Sequence, residues 1–297
     1  MSKLKEFASK KPRLTSVVLW VLSAVITIGC FMYQDKTGPT YPLEGTFDTE
    51  LGGVNFKFLR SETIGTDLQI MLVDPVPSGV SGYVEFRRFK SNDEWQTLSL
   101  EEGSFGHTRR GRSELIQGMG VELPSLQERA GKYEYRVYID DGETGPVSVT
   151  DKPIYARYKA AVPTAVLILH IVAIFASMTI AIRTVFEAMI DGEYKKLLWA
   201  TLISLLIGGF VLGPLVQWYA FGVLWSGVPF GYDWTDNKVV VELIFWLLAL
   251  YLNRGDRRDK RSVYLAGIVT LIVYFIPHSL FGSEYNYLTG SGTGTAG

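Results

Sequence analysis

Residues Ala161 to Phe281 hold four apolar runs separated by short polar loops. No other feature limits the possible folds so strongly. A segment with this much uninterrupted apolar sequence needs either a very large protein core or a lipid solvent. The runs are Ala161–Ile182, Leu197–Tyr219, Val239–Leu252 and Val263–Phe281. Thr235 or Asp236 supplies an N-cap that extends the third run upstream. Pro163 suits the first turn of its helix, where no amide partner is lost.

A fifth run, Leu14–Tyr33, follows the basic segment 1–13 with Lys3, Lys5, Lys10, Lys11 and Arg13. About twenty apolar residues cross a hydrocarbon core of about 30 Å. This run reads as a signal anchor, transmembrane helix 1. Cleavage of the run as a signal peptide is one alternative. Acylation of Cys30 within the lipobox-like Thr27-Ile28-Gly29-Cys30 is another. Cys30 is the chain's one cysteine, so no intramolecular disulfide forms and the polar segment folds on its core alone.

Residues 36–158 differ in character. Val54–Leu59, Leu68–Val73, Tyr83–Phe89, Trp95–Leu100 and Tyr133–Ile139 are short β-type runs, several alternating with period two. Asp74-Pro75 and Asp140-Asp141-Gly142 punctuate them as turns. This pattern predicts an antiparallel β-sandwich with one buried face per sheet. A Trp-bearing strand at mid-domain and Tyr133 opening the strongest late strand resemble an immunoglobulin or fibronectin type III domain. That resemblance implies a binding or spacer module. His107–Arg112 is a small basic run that reads as a solvated loop, with an acidic or phosphate partner as the alternative.

The expected fold class is thus a five-span α-helical membrane bundle with an all-β immunoglobulin/fibronectin-III-like sandwich. Segment 161–281 forms a four-helix transmembrane domain, and 282–297 is a flexible tail ending in Gly/Ser/Thr repeats. The last six residues spell G-x-G-x-x-G, but no helix follows them, so no nucleotide site is read there. The net charge of −1 gives no general attraction to nucleic acid.

Lysine and arginine set the orientation. They gather before Leu14–Tyr33, between Ala161–Ile182 and Leu197–Tyr219 (Arg183, Lys195, Lys196), and between Val239–Leu252 and Val263–Phe281 (Arg254, Arg257, Arg258, Lys260, Arg261). The opposite loops hold Lys238 alone. The positive-inside rule then puts the N-terminus in the cytoplasm and the β domain and C-terminus outside.

Polar residues inside apolar helices are costly and face neighbours or cavities. His170 shares a helix face with Ala173, Ser177 and Ala181, and Gly267, Thr270, Tyr274 and His278 share another. His170, Tyr274 and His278, with Glu242, Asp233, Asp236 and Glu284, form an expected polar cluster toward the outer side. Three readings of it are open. His170 and His278 are placed as axial ligands of a haem b. Alternatively His278 joins acidic residues in a metal site, although no H-x3-H or H-E-x2-H pattern supports it. The simplest reading is internal satisfaction: a His170–Tyr274 hydrogen bond, Glu242 paired with His278 or loop backbone, and Trp225 and Trp234 in an interfacial aromatic belt.

The loop Gly227–Lys238, with Ile276-Pro277-His278-Ser279 and Gly282-Ser283-Glu284, resembles a group of uncharacterised bacterial inner-membrane proteins. They share an anchor, an outer β domain and four spans. The resemblance implies that architecture and a bacterial inner membrane, and no activity. The leading functional expectation is an accessory or scaffold protein in contact with membrane lipid and with membrane or periplasmic proteins, without a cofactor. The alternative is a redox (haem b) or metal-binding membrane protein using His170 and His278. A transporter is disfavoured by the lack of an inverted repeat.

Overall fold

The computed structural model describes residues 2–109 and 112–293. The chain divides into two compact units. One is helical, from Met1–Gly38 and Val162–Gly282, and the other is β-rich, from Pro39–Ala161 and Ser283–Thr293.

The helical unit begins with α1 (Ser2–Lys10) and α2 (Pro12–Thr37). Next come α3 (Thr164–Met189), α4 (Lys195–Leu205), a π-helical segment (Leu206–Leu212) and α5 (Gly213–Phe221). The unit closes with α6 (Trp234–Leu252) and α7 (Lys260–Phe275). Its burial pattern is inside-out. In α2 the buried positions include Thr15, Ser23 and Thr27, while Val17, Val21, Val25 and Ile28 are exposed. In α6 the buried positions are Lys238, Glu242, Trp246 and Ala249, while Val241, Ile244, Leu247 and Leu248 are exposed. Small and polar groups bring the helices together and large apolar groups face outward. Water would penalise that arrangement and lipid favours it.

Helices α2, α3 and the continuous stretch Lys195–Phe221 are long and apolar enough to cross a membrane. The expected five-span bundle is therefore corrected to three candidate spans among the described residues. Helix α6 places Asp236, Lys238 and Glu242 within 19 residues. Helix α7 has 16 residues and stops at Phe275. Ile276 precedes Pro277, and a residue before proline is pushed out of the α region, so the apolar run continues to Phe281 but the helix does not.

The basic segments meet at one end of this unit. Asp191, after α3, forms ion pairs with both Lys5 of α1 and Lys260 of α7. Arg258 reaches Glu193 at 2.7 Å. The other end is closed by the segment after α7. Ile276 O accepts from Gln34 Nε2 at 3.4 Å and from Lys238 Nζ at 2.9 Å, and Ser279 N donates to Thr235 Oγ1 at 2.9 Å.

The β unit is built from two main sheets. One has strand order β1-β2-β4-β8-β7, with β1 Leu43–Thr49, β2 Gly52–Phe58, β4 Leu68–Val73, β7 Glu101–Arg109 and β8 Arg112–Leu123. The other has order β3-β11-β9-β5-β6, with β3 Ser61–Thr63, β5 Ser81–Arg88, β6 Gln96–Ser99, β9 Lys132–Asp140 and β11 Ile154–Lys159; β10 (Val147–Ser148) pairs with β9. Both sheets contribute to one core. Phe58, Leu68, Ile70 and Leu72 come from the first, and Val84, Phe86, Tyr135, Val137 and Ile139 from the second. Each fully buried side chain of this size contributes roughly 1.5–3 kcal/mol. The buried Tyr135 hydroxyl is satisfied by Leu59 O at 2.7 Å.

The immunoglobulin-like expectation is not supported. β3 pairs parallel to β11, and the strand order is not that of an immunoglobulin domain. Trp95 does not enter the core. It is half-buried on the outer face, with the Arg87 guanidinium 4.6 Å and the Arg136 guanidinium 5.5 Å from its ring. The tail also folds further than expected. Glu284–Asn286 (β12) and Ser291–Thr293 (β13) form a hairpin in the β unit. Strands β7 and β8 pair as far as Arg109 and Arg112; residues 110 and 111 of the basic run, and the side chains around them, lie outside the described residues.

Candidate functional site

The helical unit contains a cavity of about 130 Å³ at the end opposite its basic loops. Its lining includes His170, Asp233, Asp236, Glu242, Tyr274 and His278, six of the seven residues expected to cluster. Glu284, the seventh, belongs to the β unit, where it is buried and ion-paired with Lys90 and Lys132, each at 2.6 Å. Gln217 and Lys238 also line the cavity and were not anticipated as site residues.

His170 is placed by the irregular helix opposite. Pro214 lacks an N–H and its ring crowds the carbonyl one turn back, which widens the turn before it. In the resulting π register Gly213 N donates to Gly208 O. The second lone pair of that carbonyl faces α3 and accepts from His170 Nδ1 at 3.0 Å. A carbonyl only accepts, so Nδ1 carries the proton. Gly208 permits the approach, because a Cβ there would sit 3.0 Å from Ile174 Cδ1 and N; at Gly209 it would lie 2.6 Å from Val239 Cγ1.

Tyr274 donates to Ile174 O at 3.3 Å. The expected His170–Tyr274 hydrogen bond is thus replaced by two separate bonds to backbone carbonyls, Gly208 O and Ile174 O. Glu242 is held by α7. Its Oε1 accepts from Thr270 Oγ1 at 2.9 Å, and Thr270 Oγ1 accepts from Trp246 Nε1 at 2.9 Å. Glu242, Thr270 and Trp246 are all at most 1% exposed, so this chain of bonds ties α6 to α7 in the interior.

Asp233 and Asp236 organise the segment between α5 and α6. Asp233 Oδ1 caps α6 by accepting from Thr235 N at 2.7 Å, and its Oδ2 accepts from Ser226 Oγ at 3.1 Å. Asp236 Oδ2 accepts from the backbone N–H of Ser226 at 2.6 Å and of Gly227 at 3.0 Å. Gln217 donates to Ser226 Oγ. Trp225 Nε1 donates to Val228 O at 3.2 Å, and its ring stacks on Phe210. Phe230, Tyr232 and Trp234 are exposed on the same segment, which suits a polar–apolar boundary.

A haem does not fit here. His170 presents Nε2 as a ligand atom of the right tautomer, and His278 lines the same cavity. The volume of about 130 Å³, however, is close to the roughly 150 Å³ that holds a benzene, and a tetrapyrrole is several times larger. Among the described residues no three His, Cys, Asp or Glu side chains group closely enough to hold a metal ion.

The chain matches no family model, no curated protein and no solved structure.

Proposed function

We propose that this is an integral membrane protein of accessory or scaffold type, which holds a protein partner through its β unit. The observation that carries the reading is the composition of one sheet face. Outward-facing positions of β5, β9 and β11 present Tyr83 stacked on Tyr138, Arg87 and Arg136 flanking Trp95, and Tyr155 edge-on to Phe89. Tyrosine, tryptophan and arginine dominate the energetics of protein interfaces because they bury large rigid areas and retain polar handles. The helical cluster supports the same reading, since Asp233 and Asp236 hold the chain's own loop at Ser226 and Gly227.

The membrane placement adds direction. The basic ends of the helical unit converge through Lys5, Asp191 and Lys260, and that end belongs in the cytoplasm by the positive-inside rule. On this reading the β unit is extracytoplasmic, and the resemblance noted above supports a bacterial cytoplasmic membrane.

Blue-native electrophoresis of mildly solubilised native membranes tests this role. The wild type migrates in an assembly larger than the purified chain, and Trp95→Ala or Arg136→Glu releases it. Migration as the free chain in wild-type membranes, or an assembly unaffected by both substitutions, contradicts the reading.

A further inference from the structure

Lys238 and Glu242 lie one turn apart on α6, both lining the cavity, at 6% and 1% exposure. Opposite charges at this spacing normally pair across the turn. Here they are drawn apart. The ammonium is held by Ile276 O in the segment after α7, and the carboxylate by Thr270 within α7. Among the described residues one hydrogen bond is seen at each, from the Lys238 ammonium to Ile276 O and from Thr270 Oγ1 to the Glu242 carboxylate. Buried charges with so few partners are costly.

We infer that the cavity is a binding site for a small zwitterionic group carrying a primary ammonium and an anionic oxygen. The anionic oxygen pairs with Lys238 and the ammonium with Glu242. This gives each of the two buried charges a partner of opposite sign and adds no net charge to the site. Val216 and Val239 wall the cavity and limit the group to about the bulk of benzene. The backbone around the site is also irregular. The π-helical segment contributes Gly209, and Ser279 and Phe281 in the segment after α7 hold φ of 62° and 51°. Such features concentrate at ligand sites. A choline-type ammonium has no N–H to donate to Glu242 and is excluded by the same chemistry. The site is independent of the partner face on the β unit.

Two sources carry this chemistry: a free zwitterion and an aminophospholipid headgroup. The test uses the full chain in phosphatidylcholine/phosphatidylglycerol nanodiscs and follows its thermal unfolding midpoint. Phosphoethanolamine is titrated in one arm, and phosphatidylethanolamine replaces part of the phosphatidylcholine in the other. Acetate and methylammonium, each with one of the two charges, are controls. A saturable rise in midpoint in either arm, absent with both controls, supports the site and identifies its source. Glu242→Gln, which retains the bond from Thr270, and Lys238→Met each weaken the effect by roughly tenfold or more. No rise in either arm, an equal rise with acetate or methylammonium, or a rise retained in both variants overturns it.

Discussion

Thr270→Val removes one hydroxyl from the interior of the helical unit and changes little else. Valine matches threonine in shape, so no cavity opens. Two bonds disappear together: the one Thr270 donates to Glu242 and the one it accepts from Trp246, each 2.9 Å long. Trp246 and Thr270 are fully buried, and Glu242 is 1% exposed, so water cannot replace the lost partners. An unsatisfied buried donor or acceptor costs about 1–3 kcal/mol. Interhelical bonds in membrane bundles average nearer 0.6 kcal/mol because the reference state also finds partners. The expected total is about 2 kcal/mol, which for a unit of this size lowers the unfolding midpoint by roughly 4–8 °C. Cys30 provides the assay. It is the chain's one cysteine, 6% exposed, and packs against Met178, Ile182, Val273 and Tyr274. A thiol-reactive dye therefore reports opening of the bundle directly. Thr270→Ser keeps the hydroxyl, loses a methyl and costs less than Thr270→Val. The double variant Thr270→Val/Trp246→Phe costs less than the sum of the singles by about 1 kcal/mol. The reasoning fails if Thr270→Val melts with the wild type, or if the serine variant is the less stable of the two.

Gly267→Ala places a Cβ 2.3 Å from Val185 Cγ2 and forces α7 from α3, at about 1–3 kcal/mol in the same dye assay. Gly29→Ala meets nothing within 4 Å, so it is neutral or gains up to about 1 kcal/mol from helix propensity. Asp141 accepts from the backbone N–H of Thr144, Glu143 and Glu50, which lowers its pKa from 3.8 to about 2. A depressed folded pKa stabilises fully above the ordinary value and loses that contribution as pH falls through the folded one. The β unit therefore weakens between about pH 4 and pH 2, and Asp141→Ala flattens this part of the acid-unfolding curve followed by tryptophan fluorescence.

Much of this architecture can be read from residue order. Leu68–Val73 and Tyr133–Ile139 are strands because period-two patterns with turn residues at their ends admit little else. The polar cluster is legible for a similar reason: few ionisable residues interrupt the apolar runs, and helical spacing puts them on inward faces. Other features depend on tertiary context. β7 and β8 form the longest hairpin from a stretch rich in glutamate, glycine and arginine, with Leu115 72% exposed, so no alternation marks it. Glu284 follows the last apolar run closely but folds into the β unit, drawn there by two lysines distant in sequence. Trp95 resembles a core residue until Arg87 and Arg136 are seen to flank it. Lys238 looks like a solvated loop charge, yet its i, i+4 spacing to Glu242 and then Trp246 traces the buried face of α6. That signal lay in the sequence. The length of α7 was legible too, from Pro277, which ends the helix early.

The most direct test of the account is the sidedness of its two ends. In a Cys30→Ser background, Thr97→Cys places a thiol in exposed β6 of the β unit, and Lys196→Cys places one at the exposed start of α4, between the second and third candidate spans. A membrane-impermeant maleimide is applied to intact cells and to permeabilised cells. The account predicts that Thr97→Cys labels in intact cells and Lys196→Cys only after permeabilisation. Labelling of both sites from the same side, or the reverse order, contradicts it.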